Sequence, residues 1–344
     1  MRINKKLVFL LTLILFSIVG QIAFGQNREE LKNPAIGLAV EFTDHASCAY
    51  VAQDKGWFKK EGLNLSTYES YVTGMALAAA LARGDIQAAY ICLVPAINAY
   101  ANAKVPIKIV AGTHKHGYGL VVNSEKIKEI ANLEGPAIRI GCVREGGSVD
   151  TLMHKMIDIC RLDESKILKN IRRMNPPKQV VAFRIGQLDA VFLPEQWATM
   201  AAELDPKSKM LLTSQDLWPR MQGSVLIVKE ELIENHPELV KKLVKVTKKA
   251  TEWINQNRDN ASVVVARQLS GAKKKILSSR ADKLSSGLEI TPQIISRSME
   301  RMVFATDIDP RIVQDAIKYI GHLGYIKKGV KAETLLDLRF LHDK

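Results

Sequence analysis

The stretch Val180-Val181-Ala182-Phe183-Arg184-Ile185-Gly186-Gln187-Leu188-Asp189-Ala190-Val191-Phe192-Leu193 decides the fold, because it echoes an earlier one, Ala79-Ala80-Leu81-Ala82-Arg83-Gly84-Asp85-Ile86-Gln87-Ala88-Ala89-Tyr90-Ile91. Gly84 and Gly186 fall in register, and Ile86 and Ala88 are answered by Leu188 and Ala190. Each copy reads as a helix, a glycine turn and a buried strand. Outward from the first copy, residues 35–40 form a short apolar strand, 47–55 begin a helix, and 65–68 form a second strand. A helix over 75–82, a strand over 86–92 and another over 107–111 follow. Around the second copy lie a strand over 138–142, Gly146-Gly147 and a helix over 149–160. Strands alternating with helices at this pace predict βαβ units and a mostly parallel sheet. The echo has two readings, two generic βαβ units or two similar α/β lobes. In the second, 119–122 and 224–228 are the two strands that cross between lobes, and everything after Lys229 is helical and packs on lobe one. The expected divisions are 1–25 as a leader, 26–117 as the first part of lobe one, 118–222 as lobe two, and 223–344 as return strand and C-terminal helices. Two lobes joined by two strands leave a cleft that closes by hinge motion. Its walls are the carboxyl ends of the strands and the helix N-termini beside them.

The 344 residues suit two such lobes. With 47% hydrophobic and 25% charged residues, the chain falls outside the disordered, collagen-like and coiled-coil classes. The N-terminus reads as a secretory signal peptide: Arg2, Lys5 and Lys6 precede an apolar run over 7–20, and Ala23 and Gly25 supply the small residues of a cleavage site. An uncleaved anchor is the rival, but a span needs about 20 apolar residues and Gln21 ends this run. The formal charge of +13 comes from 49 Lys+Arg against 36 Asp+Glu. Three of the basic groups belong to the leader. From Lys229 onward there are 22 basic and 15 acidic side chains, which leaves only +3 for 26–228. In 238–256, Leu239, Leu243, Val246, Ala250 and Trp253 recur at helical spacing, with Lys241, Lys242, Lys245, Lys248 and Lys249 between them, so the charge reads as a solvated helix face. Basic residues are not interleaved with aromatics as base-stacking surfaces require, so no nucleic-acid partner is expected.

Tyr50-Val51-Ala52-Gln53-Asp54-Lys55-Gly56-Trp57-Phe58-Lys59-Lys60-Glu61-Gly62-Leu63 resembles the opening of the periplasmic substrate-binding proteins for nitrate, sulfonate, taurine, bicarbonate and thiamine-pyrimidine precursors. Ala80-Leu81-Ala82-Arg83-Gly84-Asp85-Ile86 and Gly186-Gln187-Leu188-Asp189-Ala190 resemble that family's paired glycine-turn signatures. Leu217-Trp218-Pro219 and Gly223-Ser224-Val225-Leu226 resemble its return strand. Lobe one departs from the pattern, with Asp85 next to Gly84 where the family places its acidic residue three positions on. The resemblance spans about residues 36–270. It implies a type II periplasmic binding protein fold and no catalysis, and no cofactor is expected. It also implies delivery of a small solute to an inner-membrane ABC permease with its ATPase.

Thr73-Gly74-Met75 and Glu145-Gly146-Gly147-Ser148-Val149 place glycine and hydroxyl groups just before helices. Free N–H groups and the helix dipole favour an anion there, although glycines also serve as plain helix-entry turns. Arg144 is the cation beside these loops, with Glu145 next to it. The loop Thr43-Asp44-His45-Ala46-Ser47-Cys48 matches the family's ligand-facing first loop, so His45 is a ligand donor or a helix cap. Cys92, closing its strand, faces the cleft or is a small buried apolar residue. His114 and His116 occupy the hinge-side segment from which relatives present a contact. Glu195, in Glu195-Gln196-Trp197, binds a ligand amine or hydroxyl or fixes the hinge. Trp218 and Trp197 stack on a flat ligand or pack in the core. His45, Cys48, Cys92, His114, His116 and Met75 include soft donors, but only His114-x-His116 has a ligand-like spacing, and the adopted reading has no metal. Cys48 with Cys92, or Cys142 with Cys160, is a conceivable bridge. The expected ligand is small and anionic or planar and polar. The alternatives are a pyrimidine or other heteroaromatic vitamin precursor, or a sensory receptor of the same fold. An enzyme resembling the fungal pyrimidine synthase that consumes its own histidine lacks support, because that enzyme's cysteine-rich cluster is missing.

Overall fold

In a computed structural model, which describes residues 34–203, 205–277, 285, 287–327 and 329–342, the chain builds two mixed sheets. The first contains β1 (Ile36–Glu41), β2 (Leu65–Tyr71), β3 (Ala88–Cys92), β4 (Ile107–His116), β10 (Gln222–Lys229) and β11 (Met302–Phe304), in the order β11-β4-β10-β3-β1-β2. The second contains β5 (Tyr118–Asn123), β6 (Ile140–Cys142), β7 (Ile171–Arg173), β8 (Ala190–Pro194) and β9 (Ser208–Thr213), in the order β7-β6-β8-β5-β9. Apart from β11 the two orders superimpose. Each places its parallel strands as second, first, third, and inserts between the third and the fourth an antiparallel strand supplied from across the hinge. Those inserted strands are β10 and β5. The chain passes from one sheet to the other at Gly117 and returns between Thr213 and Gln222.

The internal echo has a structural cause. The helices Gly74–Arg83 and Pro176–Arg184 are followed by Gly84 (φ 102°) and Gly186 (φ 72°), left-handed positions that glycine occupies without steric cost. The residue three after each glycine then ties down the neighbouring strand. Asp189 Oδ2 accepts from the Arg139 amide at 2.9 Å, and Gln87 Oε1 accepts from the Gly37 amide at 2.7 Å. Gln87 therefore does in lobe one what the acidic residue does in lobe two, and the departure at Asp85 costs no backbone contact.

Asp189 is buried under a fork from Arg139, Nε to Oδ2 at 2.8 Å and the terminal nitrogen to Oδ1 at 2.9 Å, with Lys126 at 2.5 Å. Burial pushes its carboxyl up, but the hydrogen bonds from Arg139 and Lys126 win and hold it down at about 2. A depressed folded pKa contributes stability above the unfolded value and loses it as pH falls from about 4 to about 2. Asp189→Asn is therefore expected to cost about 2 kcal/mol at pH 7 and almost nothing at pH 2, as read from denaturant melts at the two pH values. Equal losses at both would show that charge is not what Asp189 supplies.

The first sheet is covered on both faces. The long helices Pro237–Gln256 and Arg258–Ile276 pack with Ser47–Asp54 on one side, while Gly74–Arg83, Leu93–Ala101 and Pro310–His322 cover the other. In Pro237–Gln256, Leu239, Leu243, Val246 and Ala250 are buried, and the lysines work locally. Lys245 pairs with Glu61 at 2.8 Å, and Lys249 lies over the Trp57 ring at 4.7 Å. Trp57 and Phe58 of the opening motif are buried, and Trp57 meets Trp253 edge to face.

The C-terminal region differs from expectation in two ways. It is not wholly helical, since β11 pairs with His114–His116 of β4 and covers that sheet edge. Nor does it pack on lobe one alone. The helix Pro292–Met299 lies against Glu195–Glu203 of lobe two, Arg297 pairs with Glu203 at 2.7 Å, and the Tyr319 hydroxyl donates to Asp158 at 2.6 Å. All four cysteines are free, so neither conceivable bridge forms. The leader expected over 1–25 lies outside the described residues. Among the described residues, no helix is long and apolar enough to cross a membrane.

Candidate functional site

A cavity of about 40 Å³ lies between the lobes at the carboxyl ends of the parallel strands of both sheets. Lobe one lines it with Glu41 at the end of β1, Thr73, Gly74 and Met75 after β2, Cys92 at the end of β3 and Pro95 beyond it. Lobe two adds Gly147, Ser148 and Val149 after β6, Pro176 after β7, Pro194 at the end of β8 and Trp197 beyond it, with Tyr118 at the start of β5. Five helices thus point their N-terminal turns at one small space. Thr73 caps its helix by accepting from the Ala76 amide, whereas Gly147 leaves Ser148–Cys160 without a side-chain cap. Direct contacts close the lobes around the cavity. The Asp44 amide donates to Gln196 Oε1 at 2.6 Å, and Asn98 Nδ2 donates to the Gly146 carbonyl at 3.0 Å. Arg144 is exposed at the mouth beside Glu145.

Of the ten residues proposed from sequence, Thr73, Gly74, Met75, Cys92, Gly147 and Ser148 lie in the cavity wall, and four do not. His45 is buried one layer below. Its Nε2 donates to the Gly117 carbonyl at 2.6 Å, its Nδ1 faces Cys92 Sγ at 3.3 Å, and its ring packs on His114 and Tyr118. His114 is buried within β4 between His45 and Phe304, and burial followed by the charge of His45 pushes its pKa well down. Glu195 is buried on the far side, where Arg301 Nε donates to Oε1 at 2.5 Å. Its alternative role, fixing the hinge region, fits that place. Trp218 ends a short helix and stacks edge-on against Tyr319 with Lys155 above it, away from the cavity.

Glu41, Tyr118 and Trp197 carry much of the wall, and sequence reasoning passed over the first two. Their signal was positional: Glu41 is a charged residue closing an otherwise apolar strand, and Tyr118 directly follows the hinge glycine. Glu41 Oε1 accepts from the Cys92 amide at 2.6 Å, so a carboxylate of the protein itself occupies the N-terminal end of Leu93–Ala101. Burial raises the Glu41 pKa against that bond. The Cys92 thiol donates to Glu41 Oε2 at 3.1 Å and receives the Tyr118 hydroxyl at 3.0 Å. Burial, then the charge of Glu41, pushes the thiol well above its ordinary value. The Ser148 hydroxyl sits beside Cys92 and Tyr118.

The chain is 25% identical to the taurine-binding periplasmic protein of Escherichia coli over 61% of its own length and 64% of that protein's. Its fold matches the alkanesulfonate-binding protein of Xanthomonas axonopodis pv. citri with a TM-score of 0.71, at 18% identity over 89% of this chain and 99% of the other. The periplasmic nitrate-binding protein of Synechocystis matches with a TM-score of 0.70, at 14% identity over 90% of this chain and 88% of the other. The type II periplasmic binding fold expected from sequence is therefore the fold of this chain. The region matching a family spans residues 29–269, well over half of the chain, and the protein belongs to the NMT1-like family.

Proposed function

We propose that the protein is an exported solute receptor of an ABC import system, with 26–117 and 223–344 forming one jaw and 118–222 the other. Its leader is removed near Gly25, it catalyses no reaction, and its partners are an inner-membrane permease and ATPase. The observation that carries this reading is the cavity enclosed by helix N-terminal turns from both lobes. Such turns stabilise negative charge without a basic side chain. A water needs roughly 10–15 Å³ of such space, so about 40 Å³ accommodates a planar oxyanion of nitrate or bicarbonate size in the closed state. Taurine or an alkanesulfonate requires the jaws to stand further apart. One observation favours a second reading: the Glu41 carboxyl in the wall suits a ligand that presents an N–H donor, such as an aminopyrimidine.

Calorimetric titration with nitrate, bicarbonate, taurine, methanesulfonate and an aminopyrimidine separates the two. Saturable 1:1 binding of an oxyanion is the expected result. Binding of the aminopyrimidine alone would transfer the site to the second reading, and no binding of any small solute would overturn both.

A further inference from the structure

Glu41, His45 and Cys92 place a carboxylate oxygen, an imidazole nitrogen and a sulfur within 4.8 Å of one another, all buried, at the floor of the cavity. We propose that these three side chains form a binding site for a divalent cation of the zinc class. A thiol, an imidazole and a carboxylate together match zinc, whereas magnesium and calcium call for oxygen alone.

The hydrogen bonding leaves one acceptor too many. The Gly117 carbonyl can only accept, so His45 Nε2 carries a proton, and in the neutral ring Nδ1 presents a lone pair to Cys92. Glu41 Oε2 presents another. With His45 neutral and Glu41 ionised, the Cys92 thiol has one proton for these two acceptors, and the Tyr118 hydroxyl already donates to its sulfur. A cation bound between the three satisfies every lone pair at once. It also matches the charge, since one carboxylate and one thiolate neutralise a divalent ion in a place where any unpaired charge is costly. Binding releases the thiol proton to solvent.

The surroundings hold the donors as outer partners hold metal ligands. A backbone carbonyl takes the other ring N–H of His45, and the Cys92 amide fixes Glu41 Oε1 at 2.6 Å. Sulfur stands 3.3 Å from Nδ1 and 3.1 Å from Oε2. Bond lengths of about 2.3 Å to sulfur and 2.0–2.1 Å to nitrogen or oxygen give a tetrahedral edge of about 3.5 Å. The two edges that meet at sulfur must therefore lengthen by a few tenths of an ångström, and Glu41 and Cys92 border open space in which to do so. Three protein ligands leave a fourth position. If the cavity takes an anionic solute, that position would turn Glu41 from a repelling group into part of its anchor, and this consequence alone rests on the solute reading.

The test is calorimetric titration of the chelator-treated mature chain with zinc chloride, without any solute, alongside cobalt(II) absorption. Zinc should bind 1:1, and cobalt should give a thiolate charge-transfer band. Cys92→Ser and His45→Gln should each weaken zinc by roughly 100-fold or more, exceeding the 10–100-fold typical of losing an outer partner, while Cys160→Ser should leave it unchanged. Because a buried substitution can unfold the chain, the wild type supplies a second readout. Zinc should slow alkylation of Cys92 by iodoacetamide at least tenfold, followed by mass spectrometry, with Cys160 unaffected. Absence of saturable zinc binding, binding unchanged in a folded Cys92→Ser, or equal alkylation with and without zinc would overturn the proposal. None of these readings involves the solute, so its failure is distinct from failure of the receptor reading.

Discussion

Gly74→Val is expected to abolish solute binding, lowering affinity at least 100-fold, or about 2.7 kcal/mol, while the protein stays folded. A side chain at this position would meet Glu41 Oε1 inside van der Waals contact and stand 2.7 Å from Cγ of Pro95. Pro95 lies in the first turn of Leu93–Ala101 and has little room to yield. Glu41 must then swing into the cavity, giving up its 2.6 Å bond from the Cys92 amide. The backbone at Gly74 is ordinary helix, so the effect is steric rather than conformational. Overpacking of this kind costs about 1–3 kcal/mol of stability, which thermal melting would register as a modest shift. Wild-type affinity in Gly74→Val, measured by titration calorimetry, would mean that solute binds elsewhere.

Arg301→Ala should be the most destabilising single change at the C-terminal anchor, at about 3 kcal/mol. Arg301 Nε donates to Glu195 Oε1 at 2.5 Å, and its terminal nitrogen donates to Thr199 Oγ1 at 2.5 Å. Among the described residues the second oxygen of Glu195 has no hydrogen-bond partner, so the variant leaves a buried carboxylate with Thr199 as its remaining described side-chain donor. Burial already pushes Glu195 up to about 7 against the pull of Arg301. Without Arg301 the carboxyl is neutral over a wider range, and a neutral acid is cheaper to bury. The deficit in unfolding free energy should therefore be larger at pH 8 than at pH 5, and Glu195→Gln in the same chain should restore part of it. A loss below about 1 kcal/mol that does not change with pH would place this pair with ordinary surface ion pairs.

The sequence made the repeated unit legible because both copies use the same physical devices: a helix stop that needs a left-handed residue, and a buried apolar strand. The strands β7, β9 and β11 were not legible. Two of them are only three residues long, and Ile171–Arg173 and Ser208–Thr213 are partly exposed and polar, so neither length nor alternation marks them. Strand β11 is specified by the open edge of β4, which is a tertiary fact. The cavity wall was legible where it follows from helix entry, as at Thr73, Gly74, Gly147 and Ser148. It was not legible where depth matters. His45, just after β1, and His114, near the end of β4, lie at the right end of the sheet but turn beneath the wall toward the hinge, and Glu195 and Trp218 turn toward the C-terminal region. Side-chain direction at the end of a strand depends on register, which a single sequence does not display.

Native mass spectrometry of the mature chain recovered after export tests the central claim most directly. The expected result is a mass lacking residues 1–25 and carrying one small solute per chain, with the adduct absent from Gly74→Val. A chain that binds no solute even when the candidate ions are added at millimolar concentration, or that keeps its adduct in Gly74→Val, would contradict it.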